Sequence, residues 1–265
     1  MFTAPNAGPK TLEGTNAYVV GGRAAYVIDP GPDDERYIGN LAAWLEVAAI
    51  DVRGILLTHG HPDHALGAAR LSDLLGARVW AAATARYPLY SAPPHQNLDV
   101  GSRFSLDADG LRVIPAPGHS ADSVVFWLEK DRILFSGDTI LGRGTSVVAP
   151  PEGDMTAYMQ SLARIRELHP RFIAPGHGPV ITDGDATIAE YIEHRRRREA
   201  QIIAALRTAP ATPTELVDRI YVDTPTDLLP LARDSVLAQL EKLEREGSVR
   251  LAGGRWQVIS DSSLI

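Results

Sequence analysis

The sequence predicts an α+β fold followed by a small helical module that ends in a β-ribbon. Three observations carry this. Strand-length apolar runs, some paired across short turns, share the first two thirds of the chain with amphipathic helical stretches. Four of those runs end in tight turns that hold His59, His119, Asp138 and His177. Beyond residue 186 the pattern changes to helices and two short strands.

Composition narrows the class. A chain of 265 residues can bury a large core, and one domain with a small appendage is the expectation. Apolar residues are 45% and charged residues 22%, ordinary for a globular protein. The net charge of −7 argues against a protein that coats nucleic acid, though not against a local basic groove. Cys is 0, which excludes disulfides, thiolate ligands and a thiol nucleophile. The first residues lack a basic and then apolar leader, and no apolar run is long enough for a bilayer. A cytoplasmic enzyme with no membrane partner is the expectation.

The elements follow in order. Thr15 to Val20 and Ala24 to Ile28 are β-rich runs split by Gly21-Gly22, a hairpin signal. Asp29-Pro30-Gly31 ends the second abruptly, so Asp29 reads either as a turn former or as a carboxylate that orients a ligating histidine. Glu35 to Val47 has helical spacing, and Gly54 to Leu57 reads as a strand. Ala77 to Ala82 reads as a strand. Tyr87 to Asn97 reads as a long loop in which His95 is an ordinary residue. Leu111 to Ala116, Val124 to Leu128, Arg132 to Phe135 and Phe172 to Ala174 are strands, and Met155 to Leu168 is a helix.

The chemistry is concentrated in Thr58-His59-Gly60-His61-Pro62-Asp63-His64. His59 and His61 are two apart, so on extended chain they project to one side. Pro62 and Asp63 suit the first turn of a helix that runs through Leu66, Leu71, Leu74 and Leu75. Imidazole and carboxylate together suit zinc or a similar transition ion. His119, Asp138 and His177 each follow a strand directly, in turns with an adjacent glycine, and such loops can converge at one end of a sheet.

His59-x-His61-x-Asp63-His64, Gly118-His119, Gly137-Asp138 and Gly176-His177-Gly178 together resemble the metallo-β-lactamase superfamily from Thr11 to about Ile181. The resemblance implies an αββα sandwich with a binuclear metal centre at one edge. One ion would take His59, His61 and His119, the other Asp63, His64 and His177, with Asp138 bridging. It implies two zinc ions per chain, or manganese or iron, and hydrolysis by a metal-bound hydroxide, with Asp63 and Asp138 as the catalytic carboxylates. The absence of cysteine departs from the antibiotic-hydrolysing members that use one at the second metal.

The expected organisation is a catalytic domain over 1–185, a connecting helix over 186–210 and a C-terminal domain over 211–265. Thr214 to Ile220 and Leu231 to Glu246 read as helices, with Gly247 as C-cap. Ser248 to Leu251 and Gln257 to Ile259 flank Gly253-Gly254. Together they read as a winged-helix-like domain. This tail, with Thr11-Leu12-x-Gly14-Thr15-Asn16 and Pro175-Gly176-His177-Gly178-Pro179, is similar to the β-lactamase-like protein 2 branch. Members of that branch include single-stranded RNA endonucleases, and related chains act as acyl-carrier-protein thioesterases.

Three functions are therefore expected in turn. The first is a phosphodiesterase like a single-stranded RNA endonuclease, with Arg195-Arg196-Arg197-Arg198 near the RNA backbone. The second hydrolyses a small thioester or ester, like an acyl-thioesterase or hydroxyacylglutathione hydrolase. The third is a winged-helix binding protein whose metal domain is a scaffold. Arg143, Thr145, Ser146 and His194 are the candidate substrate contacts, each with a solvated or structural alternative. A homodimer is an expected assembly, with the tail as a cleft cover or dimer contact.

Overall fold

The computed structural model describes residues 1–82, 96–99, 101–106 and 109–259. Strands β1 (Phe2–Thr3), β2 (Asn16–Gly21), β3 (Ala24–Ile28), β4 (Asp51–Leu56), β5 (Val79–Ala82) and β6 (Gln96–Leu98) form one sheet in that order. The first three are antiparallel neighbours, and the pairs from β3 to β6 are parallel. Helices α1 (Glu35–Val47), α2 (Pro62–Ala65) and α3 (Gly67–Leu75) belong to its crossovers. The second sheet contains β7 (Arg103–Leu106), β8 (Asp109–Pro115), β9 (Val124–Leu128), β10 (Ile133–Gly137) and β11 (Phe172–Pro175). It is antiparallel except for β10 and β11, which the helix α4 (Met155–Arg166) connects.

Alternating side chains put the sheets face to face. Tyr18, Val20, Ile28 and Leu56 of the first pack with Val113, Phe126, Phe135 and Ala174 of the second. The outer face of the first sheet is covered by Ile38, Leu41 and Leu45 of α1 with Leu71 of α3. That of the second is covered by Tyr158, Leu162 and Ile165 of α4 with Ile188 and Ile192 of α5 (Gly184–Thr208). The layers are therefore helix, sheet, sheet, helix. No described helix is long and apolar enough to cross a membrane.

The far half of α5 leaves the sandwich and joins a second core. Ile202 and Leu206 pack with Leu216 and Val217 of α6 (Pro213–Ile220), with Val236, Leu240 and Leu243 of α7 (Leu229–Arg245), and with the ribbon. The ribbon consists of β12 (Val249–Ala252) and β13 (Arg255–Val258). Thr212 caps α6 in a capping box with Glu215, and Pro213 opens its first turn. The last turn of α7 gives way to Gly247 at φ 74°. This is a winged helix docked on the sandwich. Arg245 of α7 pairs with Asp154 at 2.6 Å, and Gln239 donates to the Arg195 carbonyl at 3.3 Å.

Three expectations need revision. The helix after the histidine motif is two helices, interrupted at Leu66. A side chain on Gly67 would meet Ile38 Cδ1 at 2.6 Å and the Gly31 carbonyl at 2.9 Å, so the chain turns tightly against α1 there. The loop expected over Tyr87 to Asn97 contributes Gln96 and Asn97 to β6, while His95 lies outside the described residues. Strands β1, β6 and β7 are edge or short elements whose sequences carry too little alternation to be read.

Candidate metal centre

The expected ligands stand in the segments that follow strands. The turn after β4 presents His59 and His61, and the start of α2 presents Asp63 and His64. His119 follows β8, Asp138 follows β10 and His177 follows β11. The centre thus draws ligands from both sheets. Gly176 permits the close approach, since a Cβ there would meet Asp138 Oδ1 and His64 Cε1, each at 2.6 Å. Gly118, at φ 141°, lies against the backbone of Tyr158.

The seven groups meet in one cluster. His61 Nδ1 is 3.0 Å from His59 Nε2 and 2.9 Å from His119 Nε2. His64 Nε2 is 3.2 Å from His177 Nε2, and Asp63 Oδ2 is 3.2 Å from His177 Nε2. Asp138 lies between the two groups, with Oδ1 3.3 Å from His64 Nε2 and Oδ2 3.7 Å from His119 Nε2. His59, His61 and His119 form one potential ligand group, and Asp63, His64 and His177 another.

The far side of each ring explains which nitrogen faces inward. His64 Nδ1 meets Asp29 Oδ2 at 3.0 Å, and His59 Nδ1 meets Thr58 Oγ1 at 3.0 Å. The Thr58 hydroxyl donates in turn to Asp29 Oδ2 at 2.6 Å. His119 Nδ1 donates to the Val147 carbonyl at 2.7 Å, and His177 Nδ1 to the Gly14 carbonyl at 3.1 Å. His61 is reversed: Nε2 faces Glu152 Oε2 at 3.2 Å, which leaves Nδ1 pointing inward. With the outer nitrogens donating, the inner ones are lone pairs that face one another. That arrangement is repulsive unless cations or protons lie between them.

The donor set fits divalent cations. Two nitrogens on one tetrahedral zinc are separated by roughly 3.3 Å, close to the spacings here. Asp138 Oδ1 is buried and accepts no hydrogen bond among the described residues. The electrostatics agree. Burial opposes charge on His64, yet the Asp138 and Asp63 carboxylates outweigh it and hold His64 well above its ordinary value. His177 likewise rises to about 9 despite burial, through its bonds to Asp138 and Asp63. His59 falls well below its ordinary value, through burial and then through the neighbouring His64 and His119. Burial would raise Asp63, but His64 and His177 outweigh it, and Asp63 falls to about 2.

The remaining expected residues divide. Asp29 is buried behind His64, on the side away from the cavity. Ser146 lines the groove beside the centre, and its hydroxyl donates to the Asp138 carbonyl at 2.5 Å. Arg143 is exposed and paired with Glu13, while Thr145 and half-buried His194 line a groove beside the centre. Arg195 is buried, bonded to the Ser146 carbonyl and stacked on Tyr158, and Arg198 stacks on Tyr221 at 4.1 Å. Two of the four consecutive arginines therefore tie α5 to its surroundings. Glu152, Lys10 and the carbonyls of Gly14 and Val147 are site groups that the sequence did not disclose. Carbonyl acceptors leave no side-chain signature, and Lys10 and Glu152 lie in loops without periodicity.

The cluster opens into a cavity of about 280 Å³ bordered by His61, Asp63, Asp138, Lys10, Leu141 and Glu152. Residues 11–177 match the metallo-β-lactamase superfamily, and 212–256 match the β-lactamase-associated winged helix domain. A β-lactamase-like protein 2 homologue from Caenorhabditis elegans is 35% identical, covering 92% of this chain and 83% of the relative. An atrochrysone carboxyl ACP thioesterase from Aspergillus fumigatus is 33% identical, covering 84% and 73%. The crystal structure of a metallo-β-lactamase family protein from Thermus thermophilus shares the fold with a TM-score of 0.76 at 24% identity, covering 92% and 94%. With the domain match, the winged helix and the full ligand constellation in agreement, this chain belongs to the metallo-β-lactamase superfamily.

Proposed function

We propose that this protein is a binuclear metal-dependent hydrolase of an acyl thioester. His59, His61 and His119 would hold one divalent ion, Asp63, His64 and His177 the second, and Asp138 both. Bound there, zinc, manganese or iron would polarise the scissile carbonyl and activate water. The residues then have separate tasks. Asp63 borders the cavity, where it would accept a hydrogen bond from the water. Asp29, Thr58 and Glu152 hold the imidazoles in register.

One observation carries the choice of substrate. Leu141, Val147 and Lys10 border both the metal cavity and a groove of about 290 Å³ between the sandwich and the winged helix. Leu12, Leu228, Leu231 and Ala232 make much of that groove apolar, which suits an acyl chain or a thiol carrier. The thioesterase among the relatives supports this reading. The net charge of −7 weighs against the RNA endonuclease reading.

Turnover by the metal-loaded protein tests the proposal, with an acyl thioester and a labelled single-stranded RNA in parallel and His59→Ala as control. Thioester cleavage lost in the variant is expected. RNA cleavage without thioester cleavage overturns the proposal and restores the phosphodiesterase.

A further inference from the structure

The interdomain groove has an uneven charge that hydrolysis at the metal centre does not require. Among the described residues Lys10, Arg143, His194, Arg195 and Arg198 line it, and no aspartate or glutamate does, in a chain of net charge −7. Arg143 has Glu13 as a partner, but no ion pair among the described residues includes Lys10, Arg195 or Arg198.

The two arginines on α5 are fixed in place. Arg195 is only 4% exposed, and its guanidinium is held by the Ser146 carbonyl and the Tyr158 ring. Arg198 lies over Tyr221 and donates to Gln201 Oε1 at 3.0 Å and to the Ile220 carbonyl at 3.4 Å. Each keeps a buried Nε–H with no acceptor among the described residues. For buried Arg195 a desolvated guanidinium without a counter-charge is costly, and an anion in the groove would relieve that cost. The local field agrees: His194 is pushed down to about 4, first by burial and then by Arg195, Arg198 and Arg197.

Two fixed arginines, with exposed Lys10 and Arg143 and hydroxyls at the rim (Thr145, Thr224 and Ser235), suit a multiply charged, three-oxygen anion better than a lone carboxylate. Leu141 and Val147 border both cavities, so a neutral segment can run between the scissile carbonyl and that anion. We propose that the groove is a phosphate subsite, built by Lys10, Arg143, Arg195 and Arg198, that reads a phosphate ester on the thiol side of the thioester. This deepens the thioesterase reading and rests on it. The phosphate could arrive on a soluble thiol such as coenzyme A or on a protein-bound pantetheine arm, and the ligand chemistry is the same.

The test compares one acyl group on three thiols with the metal-loaded full chain: coenzyme A, phosphopantetheine and pantetheine. KM is expected to be about tenfold higher for the pantetheine thioester, at similar kcat, for loss of the charge-assisted contacts. In Lys10→Gln and Arg198→Gln the ratio of the two KM values should fall towards one. Unchanged melting temperatures would show that both variants are folded. A preference for the coenzyme A thioester over the phosphopantetheine thioester identifies a soluble carrier, and equal values identify the arm alone. Equal KM for all three, or a ratio retained in both variants, overturns the subsite. If no thioester turned over, the catalytic reading would fail by itself. Calorimetry with desulpho-coenzyme A still decides the groove: binding weakened in Lys10→Gln upholds it, and no binding, or tighter binding of single-stranded RNA, overturns it.

Discussion

Asp29 Oδ2 lies 3.0 Å from His64 Nδ1, and the same oxygen accepts the Thr58 hydroxyl that serves His59. One buried carboxylate therefore orients a ligand in each group. Asp29→Ala should lower metal affinity by about 10- to 100-fold. Competition with a chelator and metal content after dialysis measure this. Two ions retained per chain with unchanged affinity would show that the rings hold their orientation without it.

Glu152 does the corresponding task for His61 from the cavity rim. Glu152→Ala should weaken metal binding, and Glu152→Gln should largely restore it, because the amide oxygen can still accept from Nε2–H. Metal titrations of both variants separate this role from a loss of charge, which would affect the two alike.

Metal uptake should release protons. His177 has its value raised to about 9, so it carries a proton at neutral pH that a cation must displace. Apparent metal affinity should rise as pH increases from about 6.5 towards 9. The sign is opposite for the metal-free protein. A raised histidine stabilises the fold fully below the unfolded value, and that stability is lost as pH climbs through the folded one. Calorimetry in buffers of different ionisation enthalpy counts the protons, and no release at neutral pH would contradict the assignment.

Gly176→Ala should abolish metal binding while the winged helix stays folded. The added methyl meets Asp138 Oδ1 and His64 Cε1 at 2.6 Å, and both belong to the cluster. Metal content together with circular dichroism checks it; full metal occupancy would contradict the crowding argument.

The ligands were legible because His59, His61, Asp63 and His64 fall within six residues, and the other three follow strands in glycine turns. The helix caps were legible too: Pro213 and Gly247 stand where the ends of α6 and α7 demand them. What could not be read was determined by contacts distant in sequence. Ser146 reads as a free hydroxyl until Asp138 is folded beside it. Arg195 reads as one of four surface cations until Tyr158 and Ser146 enclose it. The break at Leu66 depends on Gly31 and Ile38, which no local pattern announces.

The ligands are spread over both sheets, from the turn after β4 to the turn after β11. A nascent chain therefore carries only part of the centre until His177 has been made and β11 has paired with β10. Up to that moment Asp63 and His64 wait for the third member of their group. A complete ligand set therefore exists only once the sandwich has closed.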